Sequence, residues 1–261
     1  MGLKKMTNTE IYEVRELNKY SLETYHRDKN NVLDYPLNAL IEDLKSKLEN
    51  NYKEHEMWIN MSHNDPEKYE NLSEIAERHG LSLESQQHDY IRDAIYIEEE
   101  LYVLFEMKII YAFKHLEINI KRLLSAAYGI STKEFYKWDF LIKFLSSKNI
   151  ALSEFEGYNE ILQLKQVNNH FKHNYDFNGE SFKHIYEFNG KKELSYQDVE
   201  IFYQRVKPFP EKFLSAVAFA VFDDLYMYNE EKIDNMTQNL AMQMDKTTAE
   251  QFARVLLEKY D

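Results

Sequence analysis

The side chains best suited to chemistry in this 261-residue chain lie close together, in the run Leu164-Lys-Gln-Val-Asn-Asn-His-Phe-Lys-His-Asn174. On a helix, His170 and His173 share a face at i, i+3, and so do Asn169 and Lys172, while Asn169 and His173 meet at i, i+4. Two imidazoles, a lysine and two amides then converge within about two turns. An imidazole can take a proton from a ribose 2′-hydroxyl or return one to a leaving oxygen. A neighbouring ammonium stabilises the charge that develops on the phosphate, and an amide orients the ring or the phosphate. This set of groups suits general acid–base cleavage of a phosphodiester, which calls for no cofactor and no metal. The same residue types also suit the last turn of a helix, whose carbonyls and dipole favour Asn, Lys and His. The run therefore reads either as a site or as a cap.

Other chemistries are poorly served. The chain has no cysteine, so it has no disulfide framework, no thiolate zinc site and no cysteine nucleophile. No Gly-rich phosphate loop is present, which removes nucleotide hydrolysis of the P-loop kind. His170, His173 and His184 could together approach a metal, but no acidic ligand lies at a matching spacing, and none is expected to bind. The remaining histidines are scattered and read as surface or capping residues.

The run has to be held at the C-terminal end of a helix, and the chain around it is patterned for helices. Six Gly and four Pro are too few for an all-β fold. A first helix is expected over 7–30, capped by Thr7 or Thr9, with Ile11, Val14, Leu17 and Leu22 on one face. Pro36 opens a second, with Leu37, Leu40, Ile41, Leu44 and Leu48 at helical spacing up to the break at Asn64-Asp65-Pro66. A short polar helix over Glu67–His79 ends at Gly80. From Ser85 to Tyr128 no Gly or Pro intervenes, and a stripe from Ile97 through Leu101, Phe105, Ile109 and Leu116 to Ala127 predicts one long central helix. Its acids Glu106 and Glu117 are available to face the polar run.

Helices are also expected over Lys133–Ser147, after a cap at Ser131 or Thr132, and from Ser153 or Tyr158 to His173. Between 174 and 196 the texture changes. Asn178-Gly179 and Asn189-Gly190 are hairpin-turn dipeptides flanking the β-rich stretch Ser181–Phe188, so a small β-hairpin insertion is expected near 176–195. Helices resume at Tyr196–Val206, Glu211–Tyr228 and, after a weak break, Lys246–Lys259. The fold class is thus all-α, a helical bundle with a long central helix and a β-hairpin insertion. Residues 1–90 complete the bundle that 91–261 builds, since no Pro/Gly/Ser-rich linker separates them.

Charge and hydropathy bound the setting. A net charge of −13 excludes a protein that grips duplex nucleic acid along its whole surface, though not one with a local basic face. The 20 Tyr and 16 Phe read most simply as a core with hydroxyls at its rim, and Met227, Met236, Met242 and Met244 as core or interface filler. Met1–Arg15 has no apolar run of the secretory kind, and the longest apolar stretch, Phe213–Phe222, is about half of what crosses a bilayer. The expectation is a cytoplasmic chain with no membrane partner.

A long spine helix, a partner helix that ends in Asn169-x-x-x-His173 and an insertion after it together resemble the HEPN superfamily of helical-bundle proteins. That family's signature is an arginine, a polar residue, three further residues and a histidine. Asn169 matches the polar position and His173 the histidine, while Asn168 stands where the arginine belongs. The resemblance covers about six diagnostic residues and a helical layout over about 90–230. It implies metal-independent RNA cleavage at a homodimer interface where two motifs meet, in a toxin–antitoxin or antiviral setting. His173 is then the general acid or base, Asn169 an orienting amide, Lys172 (or Lys165) the cation in place of the missing guanidinium, and His170 a second proton carrier. An amide at 168 cannot supply the fixed charge or the fork of an arginine. The departure keeps a second reading open, in which an inactive helical module binds a protein partner such as an antitoxin or defence subunit through its acidic surface.

Overall fold

The computed structural model describes residues 6–25, 34–173, 177 and 179–260. In chain order its α-helices are α1 (Asn8–Glu23), α2 (Asp34–Asn64), α3 (Pro66–Arg78), α4 (Leu83–Tyr128), α5 (Trp138–Ser147), α6 (Tyr158–His173), α7 (Tyr196–Val206), α8 (Phe209–Tyr226), α9 (Glu230–Ala241) and α10 (Lys246–Leu257). Among the described residues there is no strand. The fold is all-α.

Local chemistry sets the helix ends. Thr7 and Glu10 form a reciprocal capping box at α1, as Ser195 and Asp198 do at α7. Asp65 accepts from the Lys68 amide and Pro66 occupies the first turn of α3, which stops where Gly80 adopts φ +72°. The 46 residues of α4 run uninterrupted until Gly129, at φ +65°.

The chain divides into two compact units. One comprises Asn31–Leu116 and Asn159–Pro210, the other Met1–Asn30, Glu117–Tyr158 and Glu211–Asp261. In the first unit, Ile41, Leu44 and Leu48 of α2, Leu101, Phe105 and Ile109 of α4, Ile161, Leu164 and Val167 of α6, and Val199, Phe202 and Val206 of α7 are buried. Each set repeats at the three-to-four-residue spacing of one helix face.

The expected β-hairpin near 176–195 does not form. Gly179–Phe182 is a 3₁₀ turn, and the chain then closes successive i, i+3 turns from Ile185 N to Phe182 O (2.8 Å), from Phe188 N to Ile185 O (3.0 Å) and from Lys191 N to Phe188 O (3.2 Å). Phe182, Ile185 and Phe188 are buried while Lys183, His184 and Tyr186 face outward. The apolar period here is three, which a chain of tight turns brings to one side; a strand needs a period of two. Gly190, at φ +74°, ends the series. Asn174–Asp176 and Asn178, where the insertion was expected to begin, lie outside the described residues.

In the second unit the helix expected over Lys133–Ser147 is split. Ser131 caps a 3₁₀ turn over Thr132–Phe135, Lys137 is extended (φ −112°, ψ 143°), and α5 starts afresh at Trp138. Trp138, Leu141 and Leu145 bury its inner face, and Phe213, Val217 and Val221 of α8 are buried in the same unit. The weak break before residue 246 holds a helix, α9, whose cap Asn229 accepts from the Lys232 amide at 2.8 Å. Neither α9 nor α10 buries a residue, and Met227, Met236 and Met242 are exposed, which removes them from the core. On α1 Leu22 alone of the expected apolar face is buried. No helix among the described residues is long and apolar enough to cross a membrane.

Candidate functional site on α6

The five candidate residues of the run, from Asn168 to His173, occupy the last two turns of α6, and Asn174 lies outside the described residues. Ile161, Leu164 and Val167 fix the rotation of the helix by burying one face, and that rotation sorts the five candidate residues into two sets. Asn169, Lys172 and His173 are exposed, whereas Asn168 and His170 are buried. Because Asn169, Lys172 and His173 are spaced i, i+3 and i+4, they share one exposed flank. His170, Lys172 and His173 also lie in the last turn, where cations complement the helix dipole.

His170 sits among rings. Its imidazole lies 5.1 Å from the Phe182 ring centroid and 5.8 Å from those of Phe171 and Phe177. Burial pushes its pKa below the ordinary imidazole value, because the charged form would lose its water. It joins α6 to the turns that follow and is not presented to a substrate on the exposed flank.

Asn168, in the place of the motif arginine, is 1% exposed. Its Nδ2 donates to Asn169 Oδ1 at 3.1 Å, while its own Oδ1 is buried without a hydrogen-bond partner among the described residues. The position points into an apolar core, since residues 161, 164 and 168 fall on one helix face. Among the described residues no cation hydrogen-bonds to Asn168. The exposed cation of the run is Lys172.

The same side of α6 meets α4. Tyr102 packs edge-on against Phe171, with centroids 6.2 Å apart. Burial, with the charge of Glu106 one turn along α4 added, pushes the Tyr102 phenol up to about 12. Burial likewise raises the Glu106 carboxyl. Glu117 is held by Lys121 at 2.9 Å. Two polar ties fix α6 from its other side. Gln166 donates to Ser181 O at 2.8 Å, and Arg205 of α7 reaches Gln163 at 2.7 Å while pairing through two nitrogens with buried Glu187, at 2.7 and 3.1 Å. Among the described residues no group of three or more His, Asp or Glu could hold a metal ion.

One polar cluster escaped the sequence reading. Lys108 is 1% exposed and lies 3.2 Å from Asp34 Oδ1, in hydrogen-bond contact with Asn38 Oδ1 and 4.8 Å from the Tyr203 ring centroid. Tyr203 donates to Asp34 Oδ1 at 2.6 Å, and Lys207 pairs with Asp34 Oδ2 at 2.9 Å. The signal was present: Leu101, Phe105, Lys108 and Ala112 fall at i, i+4, i+7 and i+11, which puts a lysine on an apolar stripe.

Comparison with family models, curated proteins and solved structures finds no match for the chain. The functional reading therefore rests on the residues themselves.

Proposed function

We propose that the exposed flank of α6 is the working face of a HEPN-like protein that cleaves RNA by general acid–base chemistry. His173 takes the proton of a ribose 2′-hydroxyl, whose oxygen then attacks the adjacent phosphorus. The bond to the 5′-oxygen breaks, and the departing oxygen receives a proton from a second acid, the His173 of a second copy in the homodimer that the resemblance implies. Lys172 stabilises the charge on the phosphate oxygens, and Asn169 orients the ring or the phosphate. The products are a 2′,3′-cyclic phosphate and a 5′-hydroxyl, and no step needs a metal. The observation that carries this reading is the exposure of Asn169, Lys172 and His173 together on one flank, free of the core that claims Asn168 and His170.

The test is incubation of the purified chain with labelled RNA in EDTA, beside His173→Ala, with analysis of the product ends. Cleavage that leaves cyclic phosphate ends and is lost in the variant is the expected result. Equal cleavage by the variant removes His173 from the mechanism.

A second reading is favoured by one observation, the burial of Asn168. With no arginine in the run 164–174, the fold would serve as an inactive module for a protein partner, an antitoxin or defence subunit. Expression separates the two readings: a ribonuclease of this context slows growth and His173→Ala relieves it, whereas a binding module leaves growth unchanged.

A further inference from the structure

Residues 117–148 carry six Lys or Arg against three Asp or Glu, a local excess of three positive charges in a chain of net charge −13, with Lys121 paired to Glu117. Within this segment the rings of Tyr136 and Phe140 lie side by side on the surface. Their centroids are 5.1 Å apart and their planes tilted by 39°, and they are 63% and 40% exposed. Burial does not explain this pair, and its two rings lie against each other among exposed lysines. Burial of Trp138, Leu141 and Leu145 turns Phe140, Lys143 and Ser147 outward together at i, i+3 and i+7. Lys137 extends over the Tyr136 ring, 5.6 Å from its centroid, and Lys133 is exposed one turn earlier. Lys133 and Lys143 form no ion pair among the described residues. Glu134 and Asp139 are the two acids of the patch.

We infer that this face of α5 and the turn before it binds single-stranded RNA, with Tyr136 and Phe140 stacking on bases and Lys133, Lys137 and Lys143 contacting phosphates. Two rings 5.1 Å apart are too close to sandwich a base, which needs about 7 Å, twice a van der Waals contact. They form a continuous platform for neighbouring bases instead. A duplex offers no free base faces to such a platform, whereas an unpaired strand offers both its bases and its phosphates. The inference rests on the proposed function for the choice of RNA, and on the platform and its cations for everything else.

The test is fluorescence anisotropy of a labelled oligouridylate of about a dozen nucleotides, titrated with the full chain at about 50 and 200 mM salt. The wild type binds, and binding weakens steeply with salt. Tyr136→Ala with Phe140→Ala lowers affinity at least about tenfold, since each stacked base contributes a factor of about five or more. Replacement of both rings by Trp preserves binding, which excludes a mere loss of fold. Lys133→Gln, Lys137→Gln and Lys143→Gln each flatten the salt slope by about 0.7. No binding by the wild type, or unchanged binding by the double Ala variant, overturns the inference. Salt-sensitive self-association through the same lysines, with oligonucleotide binding untouched, overturns it as well.

His173→Ala keeps the two proposals apart, because it leaves this binding intact. Cleavage lost in His173→Ala while the α5 variants bind normally sinks the platform alone. Binding that depends on Tyr136 and Phe140, without cleavage, sinks the α6 chemistry alone.

Discussion

Two buried polar side chains in the same unit, Lys108 on α4 and Asn168 on α6, are each 1% exposed, yet their surroundings differ in kind. Lys108 is met by a carboxylate, an amide oxygen and an aromatic face, and the carboxylate is in turn held by Tyr203 and Lys207. Burial alone would raise the Asp34 carboxyl; hydrogen bonds from Tyr203 and Lys207 and the charge of Lys108 outweigh that and hold it below its ordinary range. Among the described residues the Asn168 side chain makes one hydrogen bond, to an exposed neighbour, and its buried acceptor has no partner. A polar group kept for structure is usually satisfied on all sides, because an orphaned acceptor costs about 1–3 kcal/mol. The contrast marks the Lys108 cluster as architecture. Asn168 is a residue whose presence packing alone does not explain.

The largest effect is expected where the architecture is broken. Asp34→Ala leaves the Lys108 ammonium buried without its counter-charge and the Tyr203 hydroxyl without its acceptor, a class of change that costs about 3–5 kcal/mol. Urea unfolding followed by helical circular dichroism measures it. Lys108→Met, which replaces the ammonium by an apolar chain of similar length, should cost far less, because Lys207 and Tyr203 still satisfy Asp34. Equal losses in the two variants would remove the distinction between a satisfied network and a lone charge.

Asn168→Leu probes the other side of the comparison. It deletes the empty acceptor from an apolar face and forfeits one hydrogen bond to a residue that water can serve, so stability should rise by about 1 kcal/mol. A loss of stability in the same unfolding assay would mean that the amide is satisfied in solution. The RNA assay sharpens the result: unchanged cleavage assigns the chemistry wholly to the exposed flank, and reduced cleavage draws Asn168 into it.

Helices with strong periodicity were legible from sequence to within a few residues, because a stripe such as Leu101–Phe105–Ile109 and stops such as Gly80 and Gly129 act locally. The stretch 181–188 was misread because Phe182, Ile185 and Phe188 fit a period of three, and the Asn-Gly dipeptides beside them drew attention to hairpins. At the site, spacing placed Asn169, Lys172 and His173 on one flank. It could not place Asn168 and His170 in the core, since burial depends on which face of α6 meets α4 and the 182–188 turns. The helix α9 was passed over although its signals were local: the cap at Asn229, two acids in the first turn, and Ile233, Met236 and Leu240 at i, i+3 and i+7.

The smallest effect concerns His170, the second buried residue of the run. Its pKa is lowered in the folded chain by burial, from an ordinary value of 6.5, so the folded state favours the neutral ring. Above that value both states are neutral and the residue adds no pH dependence. As pH falls below it, the unfolded chain takes up a proton that the folded chain resists. The unfolded state then binds more protons, and stability falls with pH until the lower folded value is passed. His170→Phe keeps a ring among Phe171, Phe177 and Phe182 and removes this titration. The stability difference between variant and wild type should therefore be flat above pH 6.5 and move in the variant's favour below it. Paired urea titrations across that window measure the difference directly, with every other titrating group common to both chains. A difference that stays constant through the window would mean that the ring is not shielded from water, and His170 would rejoin Asn169, Lys172 and His173 as a candidate proton carrier.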